Sequence, residues 1–393
     1  MEKTKPRTNL SASELLSKAL SHYYDTGFSF ALWRLPDSTA IHLAASQHIQ
    51  QSSEIVLEEA SPGFLFSPFN LSQNKIFLPA DELLTFESDS LVHSHGILEQ
   101  ILHEDDLTPL RPKKTNYYYS SRSSQPPHTD YDYKQLVIKC RDEILRGVIE
   151  KIVPSRTKQV PLGDDFDLLE TFERLCVLYP MAMVSVFSSP LTGTWVGATP
   201  EMLVRVSKDQ HFHTVALAGT QLYEAGIDLR SISWNQKDIE EQALVERYVI
   251  SCFKKIRLRE YEEHGPKTVV AGNILHLKTD FDVDMVATNF PQLGSVMLKL
   301  LHPTSAVCGM PLEASLAFLK EHEGYDRQFY SGYLGPVNVE KESHLYVNLR
   351  CMQLFPNQAT LYAGAGVLAD SDPEKEWKET EMKMNTLETI IRK

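Results

Sequence analysis

Apolar positions along this chain change their period several times, and each change marks an element. Residues 11–25 (SASELLSKALSHYYD) repeat apolar side chains at helical spacing behind a Ser11 and Glu14 capping box, which predicts a first helix. FSFALWRLP, from Phe28 to Pro36, reads as a strand, and residues 38–110 look like further strands broken by Pro- and Ser-rich excursions. From Leu110 to Asp132 periodicity is lost in a polar, Pro- and Ser-rich stretch, the candidate linker or mobile loop.

Beyond it the pattern becomes regular. Tyr133 to Glu150 places Leu136, Val137, Cys140, Ile144 and Val148 on one helical face. KIVPSRTKQVPL follows as a strand interrupted by Pro154, which points to an edge or a bulge. Met181 to Val206 predicts two strands joined by a turn at Ser188–Gly193, then the GATPE turn and a third strand. HFHTVALAGTQ is another strand, ending in a glycine turn. Residues 234–256 form a long helix with a stripe through Leu244, Val245, Tyr248, Val249 and Cys252. Strands are expected at Thr268–Lys278 and Leu345–Leu354, helices at Val296–Leu301 and Pro311–Lys320, and a last helix after Ser371, Asp372 and Pro373. No βαβ rhythm and no internal repeat emerges, so the expected class is α+β with largely antiparallel strands.

Composition narrows the functions. The chain has 393 residues, 42% of them hydrophobic, enough for a large core or two lobes. Its net charge of −13 argues against general affinity for nucleic acid or anionic membranes, while one basic pocket could still take a small anion. No apolar run approaches a membrane span, and the charged, Ser-rich start lacks the apolar core of a signal peptide, so the expected location is the cytoplasm. Five scattered cysteines have no metal or redox spacing and are expected as buried thiols.

Candidate chemistry gathers in a few strings. In AGAGVLADSDPEKEWKETEMK, Gly364 and Gly366 flank Ala365 and permit close backbone approach to a ligand. Downstream, Glu376, Glu379 and Lys383 share one helical face; alone, that is also the pattern of a solvated helix stapled by a Glu379–Lys383 ion pair. Asp238 and Glu241 have the same three-residue offset and continue the apolar stripe of the long helix, so they point inward and need a partner. Two such acidic pairs facing one another could enclose a hard cation such as magnesium. Lys151, amid apolar neighbours, could serve as a base when desolvated, or simply lie at a strand edge. The GATPE turn could hold Glu201 as a general acid, or leave it exposed. Strand alternation groups Tyr346, Asn348 and Arg350, and Arg350 could grip a carboxylate or pair with a surface acid.

Taken in order, KIVPSR, GATPE, LAGT, KDIEEQ, HPTSAVCG, YDRQFYSG, NLRC, AGAG and SDPEKEWKET closely resemble the chorismate-utilising enzymes, specifically isochorismate synthases of the menaquinone and siderophore type. The resemblance spans about Tyr133 to Lys393. It implies one compact unit with the anthranilate synthase component I-like fold, antiparallel sheets packed between helices, and residues 1–110 as its variable part. It implies that Lys151 activates water for attack at C2 of chorismate and that Glu201 protonates the departing C4 hydroxyl. Glu241 and Glu379 are implied as magnesium ligands, supported by Asp238 and Glu376. Arg350, Lys383 and the backbone from Gly364 through Ala365 to Gly366 would hold the substrate's carboxylates, and Ala218, Gly219 and Thr220 would line the ring. Gln242 stands where many relatives have histidine. Lys151 together with Ala218 favours water over ammonia as nucleophile, and so no obligate glutaminase partner; that the protein is a monomer is implied only by the resemblance to this branch. Salicylate synthases, which add pyruvate elimination, share nearly the whole site; Val307 and Tyr330 resemble the wall positions that bear on that choice.

Overall fold

The computed structural model describes residues 11–88, 90–96, 114–223, 226–271 and 274–392. Residues 110–113 of the expected linker lie outside these. The described elements begin with α1 (Ala12–Asp25), β1 (Ser29–Arg34), β2 (Ile41–Ser46), β3 (Gln50–Ser52), β4 (Gly63–Ser67), β5 (Lys75–Pro79), β6 (Glu82–Glu87) and β7 (Ser90–His95). Next come α2 (Asp130–Leu145), β8 (Lys151–Ile152), β9 (Ser155–Pro161), α3 (Leu168–Leu178), β10 (Met183–Ser189), β11 (Gly193–Thr199), β12 (Met202–Val206), β13 (His211–Leu222) and α4 (Gln236–Lys255). The remainder comprises β14 (Glu262–Ala271), β15 (Ile274–Asp284), α5 (Leu293–Leu301), β16 (Gly309–Met310), α6 (Leu312–His322), β17 (Tyr333–Val337), β18 (Ser343–Val347), β19 (Cys351–Leu354), β20 (Gln358–Gly364) and α7 (Pro373–Ile391).

Two antiparallel nine-stranded sheets form the centre, in the orders β7-β6-β2-β1-β10-β11-β19-β20-β9 and β14-β15-β13-β12-β18-β17-β4-β5-β3. Strand β1 shows why its six residues are all buried: Phe30 and Leu32 pack on α1, α3 and α7, while Ala31 and Trp33 face Phe64, Phe66 and Tyr346 of the second sheet. The outer face of that second sheet carries Phe212, Ala216 and Phe281 against Val245, Tyr248 and Cys252 of α4 and Met297 of α5. The layers therefore run helix, sheet, sheet, helix, and central strands such as β1 and β4 are buried on both faces. A separate two-stranded ribbon, β8 with β16, belongs to neither sheet.

Several expectations from the pattern need correction. Helix α2 stops at Leu145, because Gly147 adopts φ +82° and turns the chain, so Val148 leaves the stripe and is 60% exposed. The expected strand at 268–278 is a hairpin, β14 and β15. Strand β13 runs through its glycine: Gly219 at φ +69° makes a bulge between Ala218 and Gln221 instead of an end. Residues 345–354 are two strands in different sheets. Residues 114–129 have no regular element, yet Thr115 N–H bonds Asp167, and Tyr118 bonds the carbonyl of Phe28 at 3.0 Å.

Two crossings between the sheets lie side by side and position the site. The chain passes from β11 to β12 through Pro200 and Glu201, and from β18 to β19 through Asn348, Leu349 and Arg350. Val347 N–H donates to Glu201 O at 2.9 Å and Ala198 N–H to Arg350 O at 3.0 Å, so the crossings brace each other. No described helix is long and apolar enough to cross a membrane.

Candidate active site

A cavity opens beside the two crossings. Glu201 and Arg350 line it, with Ala218, Gly219 and Thr220 of the β13 bulge, Glu241 of α4, Val307, Tyr330, Gly364 at the end of β20, and Lys383 of α7. Arg350 reaches it in a way strand alternation does not describe. Its backbone is left-handed, φ +47°, because the chain is leaving one sheet for the other, so the even-odd register breaks at this residue.

Glu201 is 6% exposed. Burial pushes its carboxyl up to about 7, against the opposing pull of Lys151, Arg350 and Lys383. A carboxyl of this kind can give a proton near neutral pH.

Lys151 is fully buried and sits just behind the lining, its ammonium 2.8 Å from Glu241 Oε1 as an ion pair without a well-aligned hydrogen bond. The ribbon holds it, since β8 pairs Lys151 with Met310 and Ile152 with Gly309. Gly366 makes room for the pair: a Cβ there would lie 2.2 Å from Glu241 Oε1 and 3.0 Å from Lys151 Cε. Burial would raise Glu241, but Lys151 and Lys237 outweigh it and hold the carboxyl well below the usual range.

Three of the four clustered carboxylates, Glu241, Glu376 and Glu379 but not Asp238, meet lysines in this structure. Besides Glu241 with Lys151, Glu376 pairs with Lys237 at 2.5 Å, and Glu379 with Lys383 at 2.6 Å; Lys383 also donates to the Gly364 carbonyl at 3.0 Å. Asp238, Glu376 and Glu379 line a second cleft that shares Thr220 with the first cavity. Among the described residues no three groups are gathered as a metal cage. The donor set nevertheless fits a hard cation. It is oxygen only, and Asp238 Oδ2 and Glu376 Oε2 are buried without a hydrogen-bond donor. Burial, then Glu241, raises Asp238; burial and Glu379 raise Glu376 despite Lys237.

Five further residues contribute that the sequence pattern does not single out. His276 of β15 lines the cavity, donates from Nδ1 to the Gly219 carbonyl at 2.6 Å, and accepts on Nε2 from Arg350 at 3.4 Å. Burial and then Arg350 push it down to about 3, so it is neutral, with its tautomer set by the Gly219 bond. The available signal was a lone histidine inside the apolar run NILHLK. Lys237 was overlooked because a lysine opening a helix is ordinarily solvated. Val153, Leu217 and Leu349 form apolar wall and carry no signal distinct from core. Conversely, Ala365 and Gly366 lie outside the lining. Gln242 is buried one residue beyond Glu241, its amide donating to Ala216 O, Glu246 and Thr279, which ties α4 to β13 and β15.

The chain matches the family described as chorismate binding enzyme over residues 71–392. It is 28% identical over 278 residues to isochorismate synthase EntC of Escherichia coli strain K12, covering 69% of each chain. The solved structure of MenF, the menaquinone-specific isochorismate synthase from Escherichia coli, superposes with a TM-score of 0.74 at 19% identity over 99% of this chain and 93% of the other. Anthranilate synthase component I from Streptococcus pneumoniae TIGR4 gives 0.65 at 17% identity, covering 92% of both. The fold is thus the α+β arrangement these structures share, and with the family matched over most of its length, the chain belongs to the chorismate binding enzymes.

Proposed function

We propose that the protein is an isochorismate synthase, adding water at C2 of chorismate as the C4 hydroxyl departs. One observation carries this reading: a single cavity joins a buried carboxyl that can still be protonated near neutral pH, Glu201, to two cations, Arg350 and Lys383, with a buried lysine, Lys151, one contact behind. The substrate is a dianion, and Arg350, Lys383 and the backbone at Gly364 are its carboxylate contacts in this reading, Ala365 and Gly366 lying behind the lining. Ala218, Gly219 and Thr220 lie along the ring, walled by Val307 and Tyr330.

As the water oxygen bonds to C2, its proton passes to the Lys151 amine, the ring π electrons shift toward C4, and Glu201 gives its proton to the departing hydroxyl. One water enters and one leaves, so the product is an isomer. Lys151 can accept a proton only as the free amine, and its pair with Glu241 must separate first. Glu241 and Glu379 are the proposed direct ligands of magnesium, with Asp238 and Glu376 supporting; the cation supplies positive charge for a substrate carboxylate. Action without a glutaminase subunit, as a monomer in the cytoplasm and as one compact catalytic unit, belongs to the same proposal.

Purified protein incubated with chorismate and magnesium, followed by chromatography, is expected to yield isochorismate. Salicylate with pyruvate as main products would replace this reading by a salicylate synthase, and a product requiring ammonia would replace it by an aminating enzyme. No turnover would overturn all three.

A further inference from the structure

We infer that Arg327, which lies outside the cavity lining, is a positioning residue for Lys151, acting through the ribbon that carries it. This rests on the role proposed for Lys151. The ribbon is short: β8 and β16 have two residues each, extended by Glu150 N–H to Met310 O at 2.8 Å and Val153 N–H to Cys308 O at 2.9 Å. It belongs to neither large sheet, and a two-stranded ribbon of this size has little stability of its own. Something else must fix it.

Arg327 closes one end. Its Nη2 donates to the Val153 carbonyl at 2.7 Å and its Nη1 to the Val307 carbonyl at 2.8 Å, one residue past β8 and two residues before β16. Val153 and Val307 both line the cavity. The guanidinium is itself held by Glu323, through Nε at 2.7 Å and Nη2 at 2.6 Å, and Phe69 lies over it at 4.4 Å. Glu323 Oε1 also accepts from Ser155 N–H and Oγ, both at 2.7 Å, and Ser155 opens β9 at the edge of the first sheet. One buried ion pair therefore ties both ribbon strands and the neighbouring sheet together, two residues from Lys151. Planar guanidinium geometry serves two carbonyls and a carboxylate at once; a lysine ammonium cannot span them.

Two variants test this: Arg327→Lys, which keeps the charge, and the double variant Glu323→Gln/Arg327→Met, which leaves no unpaired buried charge. Hydrogen exchange read by mass spectrometry is expected to show the Glu150 and Val153 amides exchanging at least about tenfold faster, with β10 and β11 unchanged. Steady-state kinetics should show kcat reduced at least about tenfold and KM for chorismate within about threefold, because Arg350 and Lys383 are left in place. Wild-type exchange in both variants, retained kcat in a folded variant, or a KM that rises in step with the loss would overturn the inference. The exchange measurement needs no turnover. A wild type that forms no isochorismate would sink the reaction proposed for Lys151, whereas unchanged exchange would sink the tie itself.

Discussion

Glu201 and Lys151 are both buried, yet they sit in opposite electrostatic company. Burial raises Glu201 to about 7, while Lys151 is matched to a carboxylate at 2.8 Å. A general acid must be protonated, so kcat/KM is expected to fall as pH rises through about 7, and Glu201→Gln should lose about 10²- to 10⁴-fold in rate together with that limb of the profile. The same group makes folding pH-dependent. Its native value lies above the ordinary 4.5, so the native state binds more protons than the unfolded chain between those values. The stability from Glu201 is whole below 4.5, declines as pH rises through about 7, and is absent above; melting curves of Glu201→Gln should be flatter over that window. Lys151→Ala is a poor probe of the base, because breaking a buried pair leaves Glu241 uncompensated at a cost of about 3–5 kcal/mol. Lys151→Gln keeps a donor for Glu241 and removes the amine; circular dichroism should show a folded protein and the product assay should show at least about a 100-fold loss.

At the scale of elements, the site depends on places where regular structure is interrupted. The β13 bulge at Gly219 brings Thr220 to the lining and the two sheet crossings bring Glu201 and Arg350, while the turn between β20 and α7 lies just behind it. Gly366 in that turn faces the Lys151–Glu241 pair with no space for a methyl group. Gly366→Ala is expected to separate the pair and lower kcat at least about tenfold while the melting temperature moves by only a few degrees, checked by kinetics and calorimetry. Helix α7 is seated independently of this turn: Arg156 of β9 stacks 3.6 Å over Trp377 and donates to Thr380 Oγ1 at 2.7 Å. That seat is why Glu376, Glu379 and Lys383 keep their register against α4.

For the whole molecule, charge compensation is the governing feature. A chain of net charge −13 is proposed to bind a dianion and a cation in one place, and three of the four clustered acids are neutralised by Lys151, Lys237 and Lys383 in the structure described. A cation alone would leave those lysines without partners, and a dianion alone would crowd the carboxylates. Magnesium and chorismate together are therefore expected to raise the melting temperature by more than the sum of their separate effects, as scanning calorimetry would show. Additive shifts would count against a shared site.

Much of this was legible in the sequence because local rules set it. The Ser11 capping box, the Pro154 break, the inward acids of α4 and the Asp372–Pro373 start of α7 follow from side-chain chemistry within a few residues. Antiparallel α+β class follows from the absence of a βαβ rhythm, and the order of motifs was enough to name the family. What tertiary structure alone decided is how distant strings meet. Arg350 enters the cavity through a left-handed residue at a sheet crossing, His276 becomes a neutral acceptor under Arg350, and Arg327 holds a ribbon whose strands lie more than 150 residues apart. Periodicity records which face a residue takes within its own element. It carries no record of which element lies across the gap, so Lys237 reads as a surface lysine until Glu376 is found 2.5 Å away.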